Sequence, residues 1–89
     1  MDIVYSILEA SKQGALKTHI MFKCNLNSRQ LQLYVQFLVD KELLTRSRVP
    51  PSPKVEYKTS ERGRKYMQAY ETLIELVGSG HPVRVQTRT

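Results

Sequence analysis

The sequence predicts a mainly α fold with one small β-hairpin, and three observations carry that prediction. Apolar residues recur at a helical period in four separate segments of the 89-residue chain. Between the third and fourth segments the period changes to alternation around Pro50-Pro51-Ser52-Pro53, a run that excludes helix and central strand. The fourth segment is apolar on more than one face, which exceeds what so short a chain needs for its own core.

Length and composition bound the rest. A chain of this size buries roughly 60% of the surface its unfolded form exposes, enough for a modest core and with room for a partner subunit to add to it. One cysteine excludes an intramolecular disulfide and fits a reducing, cytoplasmic setting. No apolar run approaches the roughly 20 residues that span a bilayer, so no membrane partner is expected. The start, MDIVYSILEA, lacks the basic n-region of a signal peptide. Fourteen Lys and Arg against eight Asp and Glu give a net charge of +6. Such a balance favours a polyanionic partner, usually nucleic acid, provided that the charge is clustered.

Taken in order, Asp2–Lys12 reads as the first helix. Ile3, Val4, Ile7 and Leu8 form its stripe, Glu9 and Lys12 are expected outside it, Asp2 suits the helix dipole, and Gly14 stops it. Ala15-Leu16 is too short for more than a one-bridge strand contact through Leu16. Lys17–Cys24 is a second, short helix with Ile20 and Met21 inside and Phe22 over the edge of the core. Asn25-Leu26-Asn27 is a turn with Leu26 pointing inward. Asn27 and Ser28 are both good N-cap residues. In the helix that follows, about 28–41, Leu31, Tyr34, Val35 and Leu38 line one face. Two helices joined by so tight a connection make the helix-turn-helix pattern.

After Lys41, Leu43-Leu44 is apolar and Thr45–Val49 is β-prone and basic. KVEYKT at 54–59 alternates, which puts Val55 and Tyr57 on one face. Two short strands around a proline-rich tip make a hairpin over about 44–59, and helix, helix, helix, hairpin is the order of a winged helix. Thr59 or Ser60 caps a last helix, about Ser60–Val77, and Glu61 suits its dipole. Gly63 in its first turn costs roughly 1 kcal/mol relative to alanine, which a close approach of another backbone would explain. Gly78-Ser79-Gly80 ends the helix, and His81–Thr89 is expected to be a disordered tail. The chain thus divides into a winged helix-turn-helix domain over 1–59, a C-terminal dimerisation helix over 60–78 and a flexible tail over 79–89.

The last helix spreads Tyr66, Met67, Ala69, Tyr70, Leu73, Ile74, Leu76 and Val77 over more than one stripe. One face packs on the first helix. The other needs a second copy of the chain, and Tyr66, Tyr70, Leu73, Ile74 and Val77 are the expected dimer contacts.

Arginine and glutamine near the start of a helix are the side chains that read base edges in a major groove. The second helix of a helix-turn-helix presents its N-terminal part there. Ser28, Arg29, Gln32, Leu33 and Gln36 are therefore expected to face duplex DNA: Arg29 a guanine, Gln32 or Gln36 an adenine, Leu33 a thymine methyl. The competing reading is a solvated face, but the Glu/Lys pairs usual on such faces are missing. From 46 to 65 the chain carries Arg46, Arg48, Lys54, Lys58, Arg62, Arg64 and Lys65 against Glu56 and Glu61, a net of +5. Clustering of this kind points to phosphate contact, with Arg46, Arg48 and Lys54 on the wing and Lys17, Thr18 and Lys23 on the short helix.

Cys24 does not share a helix face with His19, and with His81 they make no recognisable metal set. Cys24 reads as a structural cysteine, and no metal or other cofactor is expected. No nucleophile–base pair, glycine-rich phosphate loop or carboxylate cluster is present, so no catalysis is expected.

The stretch KTHIMFKCNLNSRQLQLYVQFLVDKELL, followed by YKTSERGRKYMQAYETL, resembles the small archaeal winged-helix DNA-binding proteins. Those carry a Lys-Thr-Arg-Ile-Met-Tyr-like second helix, an Asn-Leu-Ser turn, a Tyr-x-x-x-Leu core pair and a Leu-Thr-x-x-Gly junction to a C-terminal helix that dimerises in antiparallel fashion. The counterparts are Lys17, Thr18, Ile20 and Met21, then Asn25 and Leu26, Tyr34 and Leu38, and Thr59 and Gly63. The resemblance covers most of residues 3–77 and implies a homodimer that binds double-stranded DNA. His19 stands where the family usually has arginine, so the phosphate contact made there is not carried over to this chain. The wing is longer and proline-rich, and the last helix is shorter than the coiled-coil arm of chromatin-associated members. These departures favour a nucleoid-associated transcriptional regulator over a sequence-tolerant architectural binder. A winged-helix protein-interaction module is the remaining alternative, and the basic hairpin argues against it. No small-molecule ligand is expected.

Overall fold

Among the described residues, three of the four helices begin at a residue whose side chain closes the first turn. In the computed structural model, which describes residues 2–48 and 54–78, helix α1 spans Ile3–Ala10 and Asp2 accepts a hydrogen bond from the Val4 amide at 2.9 Å. Helix α3, Ser28–Asp40, starts with a capping box: Asn27 accepts from the Gln30 amide at 2.8 Å and Gln30 accepts from the Asn27 amide at 3.0 Å. Helix α4, Glu61–Val77, is capped by Ser60, whose hydroxyl accepts from the Gly63 amide and donates to the Glu42 carbonyl. Helix α2, Lys17–Cys24, is the exception: it follows Leu16, which has no side chain to cap it.

The ends have equally local causes. α1 stops before Lys12, two residues short of the expected boundary. The Ser11 carbonyl accepts from both the Gly14 and Thr59 amides at 3.0 Å, which turns the chain out of the helix and leaves Lys12 half-buried. At the end of α2, Asn25 adopts the left-handed conformation (φ 56°) and the Leu26 amide donates back to Met21 at 2.9 Å. That bond draws Leu26 onto the core, as a Schellman-type terminus does.

The hairpin is part of a three-stranded antiparallel sheet. Strand β3 (Val55–Thr59) is central, flanked by β1 (Ala15–Leu16) and β2 (Leu44–Arg48). The expected single bridge at Leu16 is a two-residue pairing, Ala15 with Tyr57 and Leu16 with Glu56. Residues 49–53, the proline-rich tip, and the tail from 79 onward lie outside the described residues.

Ile7, Leu8, Ala15, Ile20, Leu31, Val35, Leu38, Leu44, Tyr57 and Met67 form the core. Met21, Leu26 and Tyr34 are half-buried at its rim. Phe22 does not cover the edge of the core as expected; it is 90% exposed. Ile20 fixes the phase of α2, and two residues of about 100° each carry Phe22 to the opposite side.

α4 lies antiparallel to α1. Thr59 donates to the Leu8 carbonyl and Arg64 to that of Lys12, while further along Tyr66 donates to Asp2, the Asp2 amide donates to the Tyr70 hydroxyl, and Tyr5 donates to Glu71. The Tyr5 and Tyr70 rings stand 4.8 Å apart. Beyond Glu71, α4 continues past the start of α1 and all of its side chains are exposed.

Candidate nucleic-acid interface

Residues directly opposite in an antiparallel pair share a face of the sheet. The register Leu44–Thr59, Arg46–Tyr57 and Arg48–Val55 therefore puts Arg46 and Arg48 on the face that begins at buried Leu44. That face packs on α3 at its buried end and becomes basic where it leaves the core. Arg46 and Arg48 are both exposed there.

The consequence is a groove between α2, α3 and the sheet, lined by Lys17, Gln32, Gln36, Arg46 and Tyr57. Its floor is Leu31 and Val35, from the buried stripe of α3. A second depression adjoins it, lined by Leu16, Lys17, Thr18, Lys54, Val55 and Tyr57. Lys17 and Tyr57 belong to both. Six residues expected from the sequence to meet DNA, Lys17, Thr18, Gln32, Gln36, Arg46 and Lys54, thus line two adjoining hollows. α2 begins beside this region, at Lys17 and Thr18, and no side chain caps its first turn; the helix dipole makes that end electropositive.

Ser28 and Arg29 are exposed on the first turn of α3. Gln36 donates to Asp40 at 3.1 Å one turn along the helix. Gln30 is held in the capping box, its amide oxygen accepting from the Asn27 amide. Leu33 is set apart from the basic groove, in an apolar depression with Val4, Gln30, Tyr34 and Phe37. Of the expected dimer contacts, Tyr66 and Tyr70 are half-buried against α1, whereas Leu73, Ile74 and Val77 are 60%, 44% and 53% exposed. Leu76, left out of that set, is 77% exposed. The sequence places Tyr57 only on one face with Val55; that alternation gives its face but not its position in the groove beside Lys17 and Arg46.

Cys24 is half-buried against the core, and burial pushes its thiol pKa up. Among the described residues no group of three or more side chains is placed to hold a metal ion, and no helix is long and apolar enough to cross a membrane.

A model of the winged helix-turn-helix family matches residues 1–78. An uncharacterized protein of Methanocaldococcus jannaschii is 27% identical over 79 residues, 88% of this chain and 75% of that protein. The fold is similar to that of Sso10a-2, a DNA-binding protein from Sulfolobus solfataricus, with a TM-score of 0.73 and 20% identity over 83% of this chain and 76% of that one. It is also similar to BpsR of Bordetella bronchiseptica, whose DNA binding is regulated by 6-hydroxynicotinic acid, with a TM-score of 0.73 and 17% identity over 98% of this chain and 73% of that one. Two of these three relatives are archaeal, in keeping with the resemblance drawn from the sequence.

Proposed function

From the premise that this chain belongs to the winged helix-turn-helix family, we propose that it binds duplex DNA as a homodimeric transcriptional regulator and carries no catalytic activity. The observation that carries this reading is the groove in which Lys17, Gln32, Gln36 and Arg46 converge from α2, α3 and the wing. Hydrogen-bonding amides flanked by cations from two other elements are what base reading between phosphate anchors requires. In this reading the N-terminal half of α3 enters the major groove, with Arg29, Gln32 and Gln36 toward base edges and Ser28 at the backbone. Arg46, Arg48 and Lys54 of the wing, with Lys17, Thr18 and the uncapped start of α2, hold the flanking phosphates.

The homodimer reading is supported by the end of α4, where Leu73, Ile74, Leu76 and Val77 are exposed on consecutive turns. A small monomer rarely leaves so continuous an apolar patch to solvent. Tyr66 and Tyr70 extend the same stripe toward the domain and keep part of their rings uncovered.

Selection of bound DNA from a random pool at physiological salt tests the function. An enriched inverted repeat, with half-sites about one helical turn apart, is the expected result. Binding without enrichment would make the protein a sequence-tolerant architectural binder. No binding would remove the DNA role.

A further inference from the structure

Two large apolar side chains on α3 serve neither the core nor the basic groove. Leu33 is 67% exposed and Phe37 is 50% exposed. With Val4 of α1, Gln30 and Tyr34 they line a depression of about 480 Å³ at the N-terminal end of α1. Four of its five lining residues are apolar or aromatic, so what the depression offers is mainly apolar surface. α4 is tied to this same end of α1, through Tyr66, Tyr70 and Glu71. At Glu71 it accepts a hydrogen bond from Tyr5 of α1, and the exposed Leu73, Ile74, Leu76 and Val77 follow.

We propose that in the homodimer the end of α4 from one protomer seats Leu76 and Val77 in the depression formed by Val4, Leu33, Tyr34 and Phe37 of its partner. The proposal rests on the homodimer reading and specifies its contacts. Stable interfaces bury roughly 800 Å² per partner, and Leu73, Ile74, Leu76 and Val77 with the uncovered parts of Tyr66 and Tyr70 fall short of that. The depression supplies the missing apolar area. Symmetry supplies the approach. A two-fold contact is isologous, and an axis crossing α4 near Leu73 sets the two helices antiparallel. The C-terminal end of each helix then runs beside residues 66–71 of the other. That stretch is the one held against the first turn of α1, where Val4 stands. Charge agrees at the rim: the Lys41 amine lies 5.8 Å over the Phe37 ring, and Glu75 is exposed between Ile74 and Leu76.

The assignment gives Leu33 a role other than touching a thymine methyl. It also puts a dimer contact on the helix that carries Gln32 and Gln36, so that dimerisation fixes the two reading helices relative to each other.

The test uses the full chain with Cys24→Ala. Phe37→Cys and Leu76→Cys are made separately, mixed and oxidised, and mass is measured by light scattering before oxidation. A dimeric mass with a disulfide joining positions 37 and 76 of different chains is expected. So is a rise of about tenfold or more in the dimer dissociation constant on Phe37→Glu. A dimeric mass with no such disulfide, and with dissociation unchanged by Phe37→Glu, overturns this docking and leaves the homodimer standing. A monomeric mass for the unsubstituted chain overturns both.

Discussion

A Cβ built on Gly63 would stand 2.2 Å from the carbonyl oxygen of Leu43. That carbonyl cannot swing away cheaply, because it accepts the Ser60 amide at 3.1 Å. The same Cβ would meet the Thr59 methyl at 2.7 Å. Gly63 is therefore the point where α4 is pressed against the loop that leads out of α3. Gly63→Ala gains about 1 kcal/mol of helix propensity, but overpacking against backbone outweighs it. A net loss of up to about 2 kcal/mol is expected by urea denaturation, the upper end of the overpacking cost less the propensity gain; a neutral or stabilising result would mean that the α3–β2 loop yields.

This glycine also shows what the sequence could convey. A glycine within the first turn of a good helix announces a close approach, but not what approaches. The helices were legible because their caps and stripes are local: Asn27 with Gln30, Leu31 with Val35 and Leu38. α1 was read too long because its stop depends on Thr59, 48 positions away from Ser11. The strand faces were legible from alternation in KVEYKT, whereas the pairing of Arg46 with Tyr57 was not. Register across a loop depends on turn geometry, and a slip of one residue would send Arg46 to the other face. The polar face of α3 was visible as a set, but its division into Gln32 and Gln36 toward the wing and Leu33 and Phe37 toward α1 needed the neighbouring elements.

The seam between α1 and α4 is expected to loosen in alkali. Tyr66 donates to Asp2 at 2.7 Å and Tyr5 donates to Glu71 at 2.5 Å. Donation to a carboxylate, and then burial, push both phenols up to about 12 from an ordinary 10.0. A raised pKa means that the fold favours the protonated phenol. The stability it contributes is complete below pH 10 and is lost as pH rises to about 12. Thermal melts of the double variant Tyr5→Phe, Tyr66→Phe should sit below those of the parent at pH 7, by about 1 kcal/mol per bond in this half-exposed setting. The difference should close between pH 10 and 12. A constant difference across that range would show that the hydroxyls matter for packing alone.

Salt dependence should separate the anchors from the rest. Each phosphate neutralised on duplex DNA contributes about 0.9 to the slope of log affinity against log salt. Arg46→Ala and Lys17→Ala remove cations from opposite walls of one groove. Each is expected to weaken binding to all sequences alike and to flatten the slope by about 0.9, and the double variant by about twice that. A slope unchanged in both would mean that the wing and α2 do not reach the backbone.

Substitutions on the reading face should behave differently. Gln32 and Gln36 lie over the floor made by Leu31 and Val35, between Lys17 and Arg46. An amide placed there pairs with adenine through two hydrogen bonds, and losing such a pair costs about 1–3 kcal/mol at the matched base pair and little elsewhere. One N–H of Gln36 is engaged by Asp40 at 3.1 Å, which restrains its amide, so Gln32 is expected to carry the larger share. Gln32→Ala should therefore abolish preference at one position of the selected site while leaving the salt slope as it was. Gln36→Ala should do so more weakly. Uniform loss of affinity at every position, with a shallower slope, would instead place these amides on phosphates and move base reading to Arg29 at the start of the helix.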